Sequence, residues 1–150
     1  MYTLSSAAKE EFPELLELWE ASVRATHHFL KEEDLLFFKA IIKEKELFAH
    51  VQLTVARDEQ NTILGFMGVS EGNLEMLFLH PDARGKGLGK QLTQFAIEKQ
   101  QVTQVDVNEQ NTAALAFYER MGFKVIARSA VDGMGKPYPV LHMQLSITVM

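Results

Sequence analysis

The segment HPDARGKGLGKQL, residues 80–92, places glycine at three alternate positions with basic residues between them. The glycines are Gly85, Gly87 and Gly89, and the basic residues are Arg84, Lys86 and Lys90. Glycine loses more backbone freedom on folding than any other residue, so such a run needs a reason. Glycine-rich main chain ahead of a helix lets N–H groups approach an anion closely, and the helix dipole adds positive charge there. The segment predicts either a pyrophosphate-binding loop or an ordinary surface loop that opens a helix.

Two familiar phosphate-binding motifs fail in this segment because of their spacing. A dinucleotide fingerprint needs G-x-G-x-x-G, but the third glycine comes one residue early. A P-loop needs Gly-Lys followed by Ser or Thr, whereas Gly89–Lys90 is followed by Gln91 and Arg84 occupies the place of the first glycine. Neither motif explains the segment.

A second short motif suggests nucleophilic chemistry. GVSEG, residues 68–72, matches the G-x-S-x-G nucleophile elbow with Ser70 as the nucleophile. That elbow must join a strand to a helix, whereas the following residues, LEMLFL, have the pattern of a strand. We therefore interpret Ser70 as a turn residue between two hairpin strands, with a serine hydrolase as a distant alternative.

The composition describes one globular domain. The chain has 150 residues, of which 47% are hydrophobic and 23% charged, with a formal net charge of −5 and no cysteine. This length allows one substantial core. The lack of cysteine excludes disulfides, thiolate metal sites and an acyl-cysteine intermediate, and it fits a cytoplasmic protein. We expect no nucleic-acid partner, because phosphate backbones select basic surfaces, and no membrane partner, because no apolar run approaches the roughly 20 residues of a span.

Hydrophobic periodicity predicts the elements in chain order. They are a strand near Tyr2–Ser5, helices from Phe12 and over Glu32–His50, strands at Val51–Asp58, Thr62–Val69 and Leu74–Leu79, a helix after the glycines, a strand at Val102–Asn108, a helix at Thr112–Met121, and strands at Phe123–Val131 and Pro139–Ile147. Asn111 and Gly122 are suited to cap the last helix. The order β-α-α-β-β-β-α-β-α-β-β predicts one α+β (mixed α/β) domain over residues 1–150, with helices flanking a central twisted mixed sheet.

Two motifs together resemble the signatures of one enzyme superfamily. R-G-K-G-L-G, after the strand LEMLFL, resembles the R/Q-x-x-G-x-G/A acyl-coenzyme A motif of the Gcn5-related N-acetyltransferases, the GNAT superfamily. NTAALAFYERMGF, residues 111–123, resembles its second signature, N-x-x-A-x-x-x-Y-E-[KR]-x-G-F. The predicted element order matches too, so the resemblance covers essentially the whole chain. A closer similarity, in SVRATHHFL, VNEQN and GKPYP, is to the YjaB-like branch, whose members are described as protein-lysine or general N-acetyltransferases.

The resemblance implies an N-acetyltransferase that uses acetyl-coenzyme A (acetyl-CoA) as co-substrate and no metal. An amine, from a small molecule or a protein lysine, would attack the thioester directly in a ternary complex. Dimers are frequent in the family, so a homodimer is possible. The alternative from another class is a non-catalytic acyl-CoA-binding module, which CoA would stabilise without any acetylated product.

The resemblance also implies which residues hold the phosphates of the cofactor. The backbone amides of Gly85–Gly89, Leu88 among them, would bind the pyrophosphate next to Arg84. Lys86 and Lys90 either reach the 3′-phosphate or remain solvent-exposed at the start of the helix.

The rest of the cofactor would lie along a strand. The backbone of Leu77, Phe78 and Leu79 would pair with the pantetheine arm as an added strand and offer an N–H group to the thioester oxygen. Asn111 would both cap its helix and contact the cofactor.

The catalytic groups implied are an acid and a base. Tyr118 matches the general-acid tyrosine of the family and would protonate the departing thiolate, unless it only packs on its helix face. Glu75 is the candidate base, on one face of its strand with Leu77 and Leu79 by alternation. A chain of water molecules is equally open as the base, and Glu71 is the alternate carboxylate.

The acceptor site is predicted from residues outside the two motifs. His27 and His28 lie between the first two helices, where acceptor sites of the family are often lined, and Tyr138 in GKPYP would form another wall or belong only to a rigid loop. Adjacent histidines point in different directions on a helix and lack a third ligand, which argues against a metal.

Overall fold

One seven-stranded mixed sheet forms the centre of the protein in the computed structural model, which describes residues 2–146. The strands are β1 (Thr3–Ser5), β2 (Gln52–Arg57), β3 (Ile63–Ser70), β4 (Asn73–Leu79), β5 (Gln104–Asn108), β6 (Phe123–Ser129) and β7 (Val140–Leu145). The helices are α1 (Phe12–Thr26), α2 (Glu32–Glu44), α3 (Leu88–Lys99) and α4 (Thr112–Arg120). Short 3₁₀ turns cover Lys9–Glu11, Leu47–His50 and Pro81–Ala83. The predicted element order and mixed α/β fold are confirmed.

The strands lie in the order β1-β2-β3-β4-β5-β7-β6. Neighbouring strands are antiparallel except β4 and β5, which are parallel. The predicted antiparallel run of β2, β3 and β4 is therefore confirmed. The parallel pair sits at the middle of the sheet, where a crossover through α3 joins the two strands.

Both faces of the sheet are covered by helices. Leu15 and Trp19 of α1 and Leu35 of α2 share a core cluster with Phe66 of β3. On the other face, α3 and α4 pack in a second cluster that contains Met67, the next residue of β3. Consecutive residues of β3 thus enter different clusters, as alternation requires.

The second helix ends earlier than the predicted Glu32–His50. It stops at Glu44, Glu46 adopts a left-handed conformation with φ 48°, and Leu47–His50 forms a separate 3₁₀ turn. The break lets the buried Phe48 ring meet Phe12 and Phe66 edge-on at centroid distances of 5.6 and 5.5 Å. Tertiary packing therefore overrides the helical pattern.

Smaller differences lie at the ends of the strands. β5 begins at Gln104 and not Val102: Gln101 has a left-handed φ of 58°, and Val102 is buried in the core. β6 stops at Ser129 and β7 begins at Val140, whereas the predicted Ile147 lies outside the described residues. Within residues 2–146, none of the helices combines the length and apolar character that a membrane span needs.

Candidate active site

The parallel strands β4 and β5 separate after two residue pairs. Asn73 pairs with Gln104 and Leu74 with Val105, and β4 then runs on to Leu79 while remaining paired with β3. β5 continues to Asn108 against β7. The sheet therefore opens as a wedge, and the backbone edge of β4 that faces β5 is free of strand pairing beyond Leu74.

A β-bulge lies where the wedge starts. Met76 pairs with Gly68 and Leu74 with Val69, so Glu75 is the extra residue of β4. Bulges bend a strand and increase its twist, which turns β4 away from β5. The bulge also breaks strict alternation, because Leu74, Leu77 and Leu79 all pack in the α3–α4 cluster. The bulge thus shifts Leu74 relative to Leu77 and Leu79, whereas the placement of Glu75 on the face of Leu77 and Leu79 stays a prediction.

A cavity of about 620 Å³, which we call the wedge groove, lies along β4, the glycine loop and α4. Most predicted cofactor-binding residues line it: Leu77, Phe78, Leu79, Arg84, Gly85, Gly87, Gly89, Lys90 and Asn111. Two do not: Lys86 is exposed to solvent, and the Leu88 side chain is 0% exposed in the core. Leu88 thus anchors the start of α3, and its side chain is not available to a ligand.

The glycine loop has a backbone that other residues adopt poorly. Gly85 and Gly87 have φ values of 75° and 85°, and Gly87 is the N-cap of α3. The N–H groups of the first helical turn have no partner within a helix, and the helix dipole makes this end positive. The loop therefore presents free N–H groups to the wedge groove.

Cationic side chains border the same groove. Arg84 and Lys90 were predicted, and Arg120 at the end of α4 was not. Arg120 occupies the [KR] place of the second motif, so its signal was in the sequence. The three cations give this groove the charge that a polyphosphate needs.

Asn111 caps α4 as predicted. Its side-chain oxygen accepts the Ala114 N–H at 3.2 Å, and the residue also lines the wedge groove.

Tyr118 lies on α4 with its ring at the groove wall. The residue is 7% exposed, and its ring meets Phe117 and Phe123 edge-on at 5.2 and 5.8 Å. Burial raises the pKa of the phenol above its ordinary value. The phenol therefore keeps its proton at neutral pH, and it borders the groove together with Leu77 and Leu79.

The carboxylates predicted as bases lie outside the cavities. Glu75 is exposed at the bulge and lines neither the wedge groove nor the neighbouring cavity. Glu71 and Gly72, with φ 50° and 80°, form the turn of the β3–β4 hairpin. At about 3.3 Å per residue, Glu71 lies roughly 20 Å along β4 from Leu77. The same turn confirms that Ser70 precedes a hairpin strand, so the elbow geometry of a serine hydrolase does not form.

A second cavity, of about 250 Å³, adjoins the groove, and we call it the aromatic cavity. Its walls are mostly aromatic or apolar with two carboxylates: Trp19, Val23, His27, Phe29, Leu30, Phe38, Phe78, Asp106, Val107, Asn108, Asp132, Tyr138 and Val140. His27 and Phe78 line both cavities, so the two spaces meet there. The predicted His27 and Tyr138 lie in this wall, whereas His28 is exposed and lines neither space. Among residues 2–146, no three His, Asp or Glu side chains converge as a metal site would require.

His27, which lines both cavities, has a neutral imidazole ring at pH 7. The Thr26 hydroxyl donates to the Ser22 carbonyl at 2.8 Å, so it accepts the Nδ1–H of His27 at 2.7 Å. Burial, with His28 and Arg84 nearby, lowers the pKa of His27 to about 4. Its Nε2 lone pair is then the free polar atom of the ring.

The lowered pKa predicts a loss of stability in acid. Below pH 6.5 the unfolded chain binds a proton at His27 that the folded chain refuses until about pH 4, so the free energy of unfolding falls over this window. Urea unfolding from pH 7.5 to 4 is expected to show a smaller fall in H27Q, by on the order of 2 kcal/mol. His50 is exposed, so H50Q is the matched control. Equal pH slopes for H27Q and wild type would contradict the assignment.

Tyr138 fastens the loop after β6 to the start of α2. Its hydroxyl donates to Asp34 Oδ2 and accepts the Lys31 N–H at 3.2 Å, and Lys136 Nζ lies 3.1 Å from Asp34 Oδ1. The Tyr138 hydrogen bond and Lys136 hold the pKa of Asp34 below its ordinary value. Lys136 also lies over the Phe37 ring, 4.4 Å from its centroid. This clasp fixes one wall of the aromatic cavity.

Loosening the clasp tests the predicted role of Tyr138 in an acceptor site. Y138F removes both hydrogen bonds of the hydroxyl, so the KM for the amine should rise about tenfold while the KM for acetyl-CoA stays unchanged. Steady-state kinetics with each substrate varied in turn measure this split. Tyr2 lines neither cavity, so Y2F is the matched control. A rise in both KM values would show a general disturbance of the fold.

Known proteins agree with this geometry. The family model described as "Acetyltransferase (GNAT) domain" matches residues 24–146. The peptidyl-lysine N-acetyltransferase YjaB of Salmonella typhimurium is 39% identical over 145 residues, which cover 95% of this chain and 97% of YjaB. The solution structure of apo YjaB from Escherichia coli has 36% identity and a TM-score of 0.85, covering 96% of this chain and 97% of that chain.

A more distant structure shares only the fold. The PaiA N-acetyltransferase of Thermoplasma acidophilum, solved in complex with coenzyme A, has 21% identity and a TM-score of 0.74 over 96% of this chain and 99% of its own. The predicted family, fold and enzyme class are confirmed by the family match and the YjaB relatives. This chain belongs to the GNAT family and is an acetyltransferase.

Proposed function

We propose that this enzyme transfers the acetyl group of acetyl-CoA to the side-chain amine of a lysine in a protein or peptide. The observation that carries the proposal is the meeting of the wedge groove and the aromatic cavity at Phe78 and His27. A thioester held in one space and an amine held in the other would come together at this point. Direct attack in a ternary complex needs this arrangement.

The wedge groove has the chemistry to hold coenzyme A. Free N–H groups of the glycine loop and the cations Arg84, Lys90 and Arg120 suit the pyrophosphate and 3′-phosphate. The unpaired edge of β4 at Leu77–Leu79 suits the amide groups of pantetheine, which would add to the sheet as a strand does. The relative from Thermoplasma acidophilum was solved with coenzyme A, which supports acetyl-CoA as the acetyl donor here.

The protonated phenol of Tyr118 is positioned to serve the leaving group. When acetyl-CoA is bound, it supplies the thioester that the amine attacks. Tyr118 donates its proton to the sulfur as the carbon–sulfur bond breaks, and a backbone N–H near Leu79 donates to the carbonyl oxygen.

The aromatic cavity fits the side chain of lysine. Its 250 Å³ is below the usual size of pockets for larger ligands, so it suits one extended chain. Aromatic rings such as Trp19 and Phe78 pack against methylene groups and attract a cation, and Asp106 and Asp132 add negative charge. The YjaB relative from Salmonella is a peptidyl-lysine N-acetyltransferase, which favours lysine within a chain over a free amine.

A mixed-acceptor assay tests the proposal. The protein is incubated with acetyl-CoA, a library of lysine peptides and a set of polyamines, amino acids and aminoglycosides, and acetylated products are identified by mass spectrometry. We expect acetylation at the lysine side chain of peptides. Acetylation confined to the small amines would overturn the proposed acceptor.

A further inference from the structure

A row of three polar side chains crosses the sheet beside the aromatic cavity. His142 Nδ1 lies 2.7 Å from Asp106 Oδ1, and His142 Nε2 lies 2.7 Å from the Ser129 hydroxyl. Asp106 and His142 are direct partners in the β5–β7 ladder, and Ser129 is opposite Val140 in the β6–β7 ladder. The row therefore runs across three adjacent strands on one face of the sheet.

Asp106 ties this row to the reaction site. It is the first residue of β5 beyond the last pair with β4, where the wedge opens. It lines the aromatic cavity together with Phe78, which also borders the wedge groove. The row is accessible to water, because the side chains of Asp106 and His142 are 48% and 34% exposed, and neither His142 nor Ser129 lines the cavity.

Other candidate bases in the cavity wall are committed elsewhere. Asp132 Oδ1 accepts the backbone N–H groups of Met134 and Lys136, both at 2.9 Å, and so shapes its own loop. His27 is a weak base, because burial lowers its pKa. Asp106 is the carboxylate of this wall that is half-exposed and held in place by a side-chain partner, His142.

We infer that Asp106, oriented by His142 and Ser129, takes the proton that the acceptor ammonium must lose. This rests on the proposed function, because it assumes a cationic amine in the aromatic cavity. The ammonium N–H bond breaks, the proton binds Asp106, and the amine lone pair becomes free to attack the thioester. The Nδ1–H group of His142 donates to Asp106 Oδ1 throughout, and the Ser129 hydroxyl donates to His142 Nε2. Asp106 then releases the proton from its other oxygen to water, which its half-exposed side chain reaches, and returns to the carboxylate.

The charged groups around the row are few. The ladder places Lys124 of β6 on the same face, opposite Gln144. Arg128 is opposite the buried Leu141 and so faces the other side, where it pairs with Glu109 at 2.6 Å. From the loops, His27 and Asp132 face Asp106 across the cavity. Lys124 is therefore the charge whose removal separates a general electrostatic effect from proton transfer.

The test is how the loss of kcat/KM in each variant, relative to wild type, depends on pH. The kcat/KM for the best lysine peptide is measured from pH 6.5 to 10.5 for wild type, H142Q, D106N, S129A and the control K124Q. At pH 7 we expect D106N to be about 10²-fold below wild type, and H142Q and S129A a few-fold below it. The deficit should shrink toward pH 10.4, where the lysine amine is neutral without help. K124Q should remain near wild type across the range.

A structural role for the row would give another result. If D106N unfolds at the wild-type temperature and yet loses the same factor in kcat/KM at every pH, or loses nothing, the role of Asp106 as the base is overturned. If the wild-type enzyme acetylates no peptide, the proposed lysine acceptor is wrong. The ratio of variant to wild-type kcat/KM is then measured with whichever amine of the mixed assay is acetylated. The two failures are thus distinguished, because the ratio reports proton transfer from any cationic amine.

Discussion

Replacing Tyr118 with phenylalanine is expected to lower kcat by about 10²-fold or more and to leave the fold and coenzyme A binding intact. Tyr118 lines the wedge groove while its ring packs on Phe117 and Phe123, so Y118F removes the proton donor and retains the packing. A positioned general acid contributes 10²–10⁴-fold to a rate. Because phenylalanine keeps the buried ring and adds no polar group, we expect the substitution to leave the stability of the fold nearly unchanged.

Three measurements separate the acid role from packing. Steady-state kinetics give kcat, calorimetric titration gives the Kd for coenzyme A, and thermal unfolding gives Tm. We expect kcat to fall while Kd and Tm remain near the wild-type values, and Y2F to match wild type in all three. A Y118F enzyme with full kcat from pH 6.5 to 9.5 would contradict the acid role.

The donor half of the site was predictable because its residues lie in two local motifs. Gly85 and Gly87 have left-handed conformations that are set within a few residues of sequence, and Asn111 caps the helix that it precedes. Their spacing in the chain is thus nearly their spacing in space. The same holds for Tyr118, in the last turn of α4.

The acceptor half was predicted less well because long-range packing assembles it. Asp106 appears in the sequence as an ordinary exposed position between Val105 and Val107, and only the early separation of β4 from β5 places it at the cavity. Its partner His142 is 36 residues away in the chain. No periodicity connects residues that meet through the pairing of β5 with β7.

The bulge at Glu75 shows a further limit. One inserted residue in a strand reverses the face of everything beyond it, and no residue type in NLEMLFL marks the insertion. Alternation alone therefore does not predict that Leu74 packs in the same cluster as Leu77 and Leu79. Glu75 remains a prediction as a residue of the site, although it lines neither cavity.

The second large effect is expected in the glycine segment. An alanine at residue 87 should weaken coenzyme A binding, whereas an alanine at residue 89 should stabilise the fold. In G87A the methyl group has open space, but φ 85° is a conformation that alanine adopts at a cost of about 1–2 kcal/mol. The strain should move the N–H groups of the loop, so we expect the Kd for coenzyme A to rise 10- to 100-fold. In G89A the residue is helical, and its methyl group would make ordinary contacts of 3.6 Å with Leu79 and Phe117.

G89A is therefore the matched control, with the same added methyl group two residues along. G89A should gain about 0.5–1 kcal/mol in the free energy of unfolding, because alanine is the better helix residue. It should keep most of its affinity for coenzyme A. Calorimetric titration and urea unfolding of both variants measure the two quantities. If G87A binds coenzyme A as tightly as G89A, the left-handed turn at Gly87 is a loop feature without a role in phosphate binding. If G87A alone loses affinity for coenzyme A, the three alternate glycines have two different roles. Gly85 and Gly87 are then needed for their left-handed backbone, whereas Gly89 is a helical residue that tolerates a side chain.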